Sequence, residues 1–167
     1  TPEAPTRDAA FHGRSPDETM EITMGELRHA WSELTTTDDA RLDMVVLGSP
    51  HLSINEIKRL LPMIKGKRAH PDVQFLITTS RAVAHIAERS NAMDYLRAFG
   101  AKVTVDTCIL TTPMLPKSVR VLMTNAGKFA YYSPGLLDRQ VVFGGMQDCV
   151  LSAIQGKVVV EDKLWKK

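Results

Sequence analysis

Leu42-Asp43-Met44-Val45-Val46-Leu47-Gly48-Ser49-Pro50-His51-Leu52-Ser53 decides the fold. Residues 42–47 form a short run that is apolar on both faces, the pattern of a strand at the buried centre of a parallel sheet. Gly48 permits a turn that a side chain would obstruct. Ser53 and Glu56 have the Ser-x-x-Glu spacing of a capping box, so a helix is expected from about Ile54. The polar atoms of Ser49 and His51 then lie between a strand's carboxyl end and a helix's amino end. In open α/β sheets ligands bind there, and the helix amides favour anions.

The same strand-then-polar-turn pattern recurs outward from this stretch. Ile54, Ile57, Leu60, Leu61 and Ile64 form the apolar stripe of an amphipathic helix, with Lys58, Arg59 and Lys65 mostly off it and Gly66 as its stop. A strand is expected over 73–78, closing in Thr78-Thr79-Ser80-Arg81. Helical spacing follows from Val83 to Phe99, interrupted at Ser90-Asn91 and stopped at Gly100. Further strands are expected over 102–105, running into Asp106-Thr107-Cys108, over 119–124, running into Asn125-Ala126-Gly127-Lys128, and over 140–143. Gly144-Gly145 precedes a helix from about Met146 to Gln155. Val158-Val159-Val160 reads either as a last edge strand or as the exit from the domain. Upstream, residues 1–20 have no periodicity and read as an extended lead-in. Thr23 with Glu26 then opens a helix whose Leu27, Ala30, Trp31 and Leu34 share a face.

Strands alternating with helices predict a three-layer α/β/α sandwich with a mostly parallel sheet of about five strands. The expected organisation is a lead-in segment and helix over 1–40, an α/β domain over 41–160 and a tail over 161–167. Right-handed crossovers gather the strand ends at one edge. That places Ser49, His51, Thr78, Thr79, Ser80, Cys108, Asn125 and Lys128 on one rim.

The 167 residues suffice for one domain with a real core. A net charge of +2 gives no electrostatic footprint for nucleic acid. No apolar run reaches the roughly 20 residues of a membrane span. The first residues lack the basic-then-apolar order of a signal peptide, and they lack an initiator Met, as a piece of a longer chain would. Two cysteines, Cys108 and Cys149, make no disulfide framework and point to a cytoplasmic setting.

Residue types alone leave the rim's chemistry open. Asn125-Ala126-Gly127-Lys128 could hold a carboxylate or phosphate, or be a turn with a solvated lysine; it lacks the P-loop spacing. Cys108 reads as a nucleophile, as a metal ligand or as a small buried hydrophobe. No second cysteine lies within metal-motif distance, so cysteines of this chain do not complete a metal site. Cys149, inside a helix beside Val150, reads as core. His51 is a general acid or base, or it caps a neighbouring strand. Arg81 is a carboxylate clamp or an exposed charge. Tyr131 and Tyr132 either line a pocket or pack with their hydroxyls near solvent.

Six stretches in order carry a resemblance. Leu47-Gly48-Ser49-Pro50-His51-Leu52-Ser53, Thr78-Thr79-Ser80-Arg81, Val105-Asp106-Thr107-Cys108, Met123-Thr124-Asn125-Ala126-Gly127-Lys128, Tyr132-Ser133-Pro134-Gly135-Leu136 and Phe143-Gly144-Gly145-Met146-Gln147-Asp148-Cys149-Val150 resemble the catalytic subunit of the aconitase X family. The resemblance covers nearly the whole chain and implies about the C-terminal third of that subunit, with an aconitase-like fold. It implies a hydro-lyase that dehydrates a small hydroxy acid, foremost cis-3-hydroxy-L-proline and alternatively mevalonate 5-phosphate. It implies an iron–sulfur cluster, with Cys108 as this segment's ligand and the others outside it. It also implies two partners, the remaining catalytic region and a small swivelling domain or subunit. Ser49 and His51 match a loop that faces the active site, as do Asn125 and Lys128. Thr78, Thr79, Ser80 and Arg81 join the expected substrate contacts. The family usually has Ser where this chain has Ala126. If that hydroxyl binds substrate, specificity or activity differs here; if it only makes the turn, nothing follows.

Such a dehydration needs a base beside the carboxylate, a Lewis acid at the departing hydroxyl and cations that hold the acid. Two rival readings come from other classes. One is a non-catalytic α/β domain that binds an anion or a partner. The other is a hydrolase or amidase with Cys108 as nucleophile and His51 as base.

Overall fold

In a computed structural model, which describes residues 3–160, alternating strands and helices build one five-stranded sheet. Thr1, Pro2 and the expected tail over 161–167 lie outside the described residues. The strands are β1 (Met44–Leu52), β2 (Gln74–Thr79), β3 (Ala101–Val105), β4 (Val121–Thr124) and β5 (Gln140–Phe143). Their order across the sheet is β3-β2-β1-β4-β5, and every pairing is parallel. The chain moves outward from β1 to β3, then returns past β1 to β4. The order therefore reverses between β1 and β4, the switch point at which open α/β sheets form a crevice.

Period-two alternation divides the sheet's side chains between two cores. Val45, Leu47, Phe75, Ile77, Val121, Met123 and Val142 face one side. There they meet α3 (Ile54–Ile64), α5 (Ala92–Phe99) and α7 (Met146–Gln155), with α4 (Arg81–Arg89) beside them. Phe75 and Phe99 close this core edge to face, with ring centroids 5.1 Å apart. Met44, Val46, Leu76, Leu122 and Val141 face the other side. Their cover is α6 (Gly127–Leu137), through Phe129 and Ala130, together with Ile109 and Val119 of the long β3–β4 connection. One layer is thus four helices and the other chiefly one helix and a loop.

The expected boundaries hold closely for α3, α7 and the broken pair α4–α5. Both capping boxes form: the Ser53 N–H donates to Glu56 Oε2 at 2.8 Å and the Thr23 N–H to Glu26 Oε2 at 2.6 Å. Asn91, in the left-handed region at φ 58°, separates α4 from α5, and Gly100 at φ 100° ends α5.

Four features differ from the sequence expectations or resolve them. The lead-in carries a short helix, α1 (Arg7–Phe11), capped by Thr6, with none of its residues buried. The next helix, α2 (Met24–Glu33), buries none either; of its expected face, Trp31 is half-buried and Leu27 exposed. Helix α6 has no counterpart in the sequence reading, because Gly127, Pro134 and Gly135 interrupt its pattern. Residues 158–160 form the exit rather than a strand. There the Val158 N–H donates to the Ala40 carbonyl at 2.8 Å. The outer edge of β5 is covered by threonines instead: the Val141 N–H donates to Thr36 Oγ1 at 2.9 Å and the Phe143 N–H to Thr35 Oγ1 at 3.1 Å. That cover satisfies an edge that would otherwise present unpaired donors.

Candidate active site

The carboxyl edge is built around a break in β1. Leu47 pairs with Ile77, and the next pairing is Leu52 with Thr79. Four residues, Gly48, Ser49, Pro50 and His51, therefore stand opposite Thr78 alone and loop out of the sheet. The Ser49–Pro50 peptide within the loop is cis. Gly48 makes the loop possible. Its φ is +92°, and a Cβ there would overlap the Thr78 carbonyl and stand 2.7 Å from the Leu52 nitrogen.

Thr78 and Thr79 hold this loop shut. Thr78 Oγ1 donates to the Gly48 carbonyl and faces the Pro50 carbonyl at 3.2 Å. Thr79 Oγ1 donates to the Leu52 carbonyl at 2.6 Å. Both residues are buried, so each hydroxyl finds its partner in the backbone of the loop and its flank. The sequence marks these threonines as rim residues and gives no sign of this hooking.

A cavity of about 210 Å³ opens beside the loop, lined by Ser49, Pro50, His51, Thr78 and Lys128, and by residues 106–110 of the β3–β4 connection. It is smaller than the roughly 300–1,000 Å³ of pockets for drug-sized ligands, so it suits a small one. Of the expected rim residues, Ser49, His51, Thr78, Cys108 and Lys128 line it. Thr79 is fully buried and does not line it. Ser80 caps α4, accepting the Val83 N–H at 3.2 Å. Arg81 is the first residue of α4, and the carboxylate it holds is that of Asp106, with Nε 3.1 Å from Oδ2. Asn125 is half-buried between β4 and α6, outside the lining set.

Cys108 is exposed and its thiol is held below the usual cysteine range, first by its interaction with Thr111, then by backbone amides of Leu110 and Thr111 and by the charge of Lys128. Cys149 is its opposite: fully buried, its thiol is pushed up by burial and then by the charge of Asp148. It is a core residue, as expected. Tyr131 and Tyr132 stack edge to face and remain exposed, away from the cavity.

Helix amino ends at this edge differ in one respect. Those of α3 and α4 carry side-chain caps from Ser53 and Ser80, and the Gly145 N–H before α7 donates to Asp148 Oδ2 at 2.9 Å. Helix α6 starts after Ala126, which has no side chain to cap it. Of that uncapped first turn, Lys128 lines the cavity and brings a cation to it. Among the described residues, no group of three or more His, Cys, Asp or Glu side chains could hold a metal ion. No described helix is long and apolar enough to cross a membrane.

Comparison with known proteins bears on the family and the fold. A family profile described as "Aconitase X third domain" matches residues 42–155. The chain is 44% identical over 159 residues to a cis-3-hydroxy-L-proline dehydratase of Pseudomonas aeruginosa, covering 94% of this chain and 27% of that protein. It is 30% identical over 131 residues to a phosphomevalonate dehydratase large subunit of Methanocaldococcus jannaschii, covering 78% of this chain and 32% of that protein. The chain thus spans about a quarter to a third of the length of these relatives. In structure it is similar to aconitase X of Thermococcus kodakaraensis in its holo-form. The TM-score is 0.67 at 24% identity, covering 77% of this chain and 33% of that one.

Proposed function

The chain belongs to the aconitase X family, and from that premise we propose that its carboxyl-edge cavity is one wall of the active site of a dehydratase for a small hydroxy acid. The substrate proposed is cis-3-hydroxy-L-proline. What supports that choice over mevalonate 5-phosphate is the higher identity, 44% over 94% of the chain against 30% over 78% for the phosphomevalonate relative. The observation that carries the reading is the cavity itself. Three segments distant in sequence bring Ser49, His51, Cys108 and Lys128 around one volume fit for a small ligand.

The proposal includes an iron–sulfur cluster. The donor chemistry here fits one ligand: an exposed cysteine whose thiolate is favoured by Thr111 and Lys128. The remaining ligands and the small partner domain belong to the parts of the enzyme beyond this chain. When bound, the cluster supplies Lewis acidity toward the departing hydroxyl. Lys128 Nζ and the amides of Gly127 and Lys128 bind the substrate carboxylate. Ser49 Oγ and the His51 imidazole line the same cavity, where they orient the hydroxy acid and deliver a proton to its departing hydroxyl, while the base that takes the carbon-bound proton belongs to the parts of the enzyme beyond this chain. Thr78 and Thr79 hold that loop in place, and Ser80 caps the helix beside it. Asn125 sets the turn into α6.

The test is made on the complete enzyme, reconstituted with iron and sulfide under anaerobic conditions. It is expected to dehydrate cis-3-hydroxy-L-proline and to leave mevalonate 5-phosphate unchanged. C108A is expected to lose both iron and activity. Turnover of mevalonate 5-phosphate alone would move the substrate assignment to the other branch. A C108A enzyme with full iron content would remove Cys108 from the ligand set. Labelling of Cys108 by a substrate analogue in active, iron-free protein would support the nucleophile reading instead.

A further inference from the structure

Cys108 sits on the β3–β4 connection, between the buried Ile109 and Thr107, whose Oγ1 donates to the Val105 carbonyl at 2.9 Å, and Asp106 ties the start of this connection to the neighbouring helix α4. Asp106 follows the end of β3 and lies in the left-handed region at φ 53°. Asparagine and aspartate tolerate this region better than most residues, but it is still unfavourable for an L side chain. Three contacts hold it there. The Asp106 N–H donates to the Thr79 carbonyl at 3.0 Å, which extends the β2–β3 ladder by one bond. Asp106 Oδ1 accepts the backbone N–H of Arg81 at 2.9 Å, and Oδ2 lies 3.1 Å from Arg81 Nε. The carboxylate thus brackets the first residue of α4 from the neighbouring strand. On the far side, the Cys108 carbonyl accepts Thr112 Oγ1–H at 2.7 Å and the Thr111 N–H at 3.3 Å. Cys108 therefore stands between two fixed points, and the first is the Asp106 bracket.

We propose that Asp106 is a positioning residue for Cys108: its carboxylate, by accepting the Arg81 N–H, fixes the turn that presents residues 107–110 to the cavity. Its consequence for the cluster rests on the reading of Cys108 as a ligand. The two arms of the bracket are unequal. The Arg81 side chain is 82% exposed, so the ion pair is weak. The bond to the backbone N–H, charge-assisted and at a helix amino end, is the stronger arm.

Both sides of the bracket can be cut without disturbing the backbone. D106G keeps the left-handed turn and removes the carboxylate. R81P removes the donor N–H at the first helical position, where proline is well tolerated. Ser80, at φ −78° and ψ 154°, already has the conformation a following proline demands. D106N keeps an acceptor oxygen for the Arg81 N–H and a tolerance for positive φ. The experiment measures amide exchange of residues 107–112 in the iron-free complete enzyme. It then measures iron content and the paramagnetic resonance spectrum after anaerobic reconstitution, with C108A beside the other variants.

D106G and R81P are each expected to speed exchange of residues 107–112 by about tenfold, the loss of one hydrogen bond to a charged group. Both are expected to lower iron retention, and the double variant is expected to be no worse than either alone. D106N is expected to stay within about threefold of the parent exchange rate and to keep its iron, since it loses only the exposed ion pair. A residue that merely stabilises the fold would lower the unfolding midpoint and leave local exchange at the parent rate. Parent-like exchange in D106G, or in R81P alone, overturns the proposal. If C108A retains its iron, the ligand reading fails, and the exchange measurements still decide on the bracket.

Discussion

Replacing Gly48 by alanine tests the loop on which the cavity depends. Two costs follow from its geometry. The first is the positive φ of 92°, about 1–2 kcal/mol for an L side chain. The second is steric. The new methyl would overlap the Thr78 carbonyl and lie 2.7 Å from the Leu52 nitrogen, both backbone atoms that no rotamer change can move. Relief requires β1 to part from β2 at this point, which breaks the hydrogen bonds of Thr78 and Thr79 to Gly48, Pro50 and Leu52. At about 1 kcal/mol for each bond, the total comes to about 4 kcal/mol. A domain of ordinary stability has about 5–15 kcal/mol to lose.

The control is G66A. Gly66 has φ 72°, but nothing lies within 4 Å of where its Cβ would stand, so it isolates the first cost. Urea unfolding of the 167-residue chain, followed by circular dichroism, compares the three proteins. G66A is expected to lose about 1 kcal/mol. G48A is expected to lose about 4 kcal/mol, a midpoint shift near ~2 M urea with the slope unchanged. If G48A and G66A lie within about 0.5 kcal/mol of each other, the close approach of β1 to β2 at Gly48 is refuted, and with it the shape of the cavity wall.

Two further outcomes follow from the same structure. A126S supplies the side-chain cap that α6 lacks, so it is expected to stabilise the chain by about 1 kcal/mol and raise the melting temperature by about 2–4 °C; an unchanged melting temperature would argue against Ala126 as the helix cap. With a chromogenic disulfide reagent, Cys108 is expected to be the thiol that reacts in the native chain, and Cys149 to react only after unfolding. The pH midpoint of the Cys108 reaction is expected below that of an unperturbed cysteine. T111V removes the largest cause of that lowering, so it is expected to move the midpoint upward, with the rate falling as pH drops through it and the thiolate is protonated.

What was legible in the sequence shares one property: it depends on neighbours in the chain. Ser53 with Glu56 and Thr23 with Glu26 are three residues apart, and both capping boxes form as read. The alternation of Val45, Val46, Leu47 and of Phe75, Leu76, Ile77 assigns side chains to two faces in any parallel sheet. Helix α6 was illegible for the same reason. Its local pattern, with Gly127, Pro134 and Gly135, opposes helix formation, and burial of Phe129 and Ala130 against the sheet overrides it.

For the site, the residue types at the strand ends were legible, and their division of labour was not. By itself, the sequence determined an α/β chain with polar residues gathered at one sheet edge, because strand and helix periods and caps are short-range properties. Only the tertiary structure decided that β1 breaks at Gly48 and that Thr78 and Thr79 hook the loop. It also decided that Asp106 takes the Arg81 N–H and that Ser49, His51, Cys108 and Lys128 share one cavity. Each of those relations joins segments about 20 or more residues apart in sequence. Which donor meets which acceptor across that distance is set by strand order and register, and no local pattern encodes them.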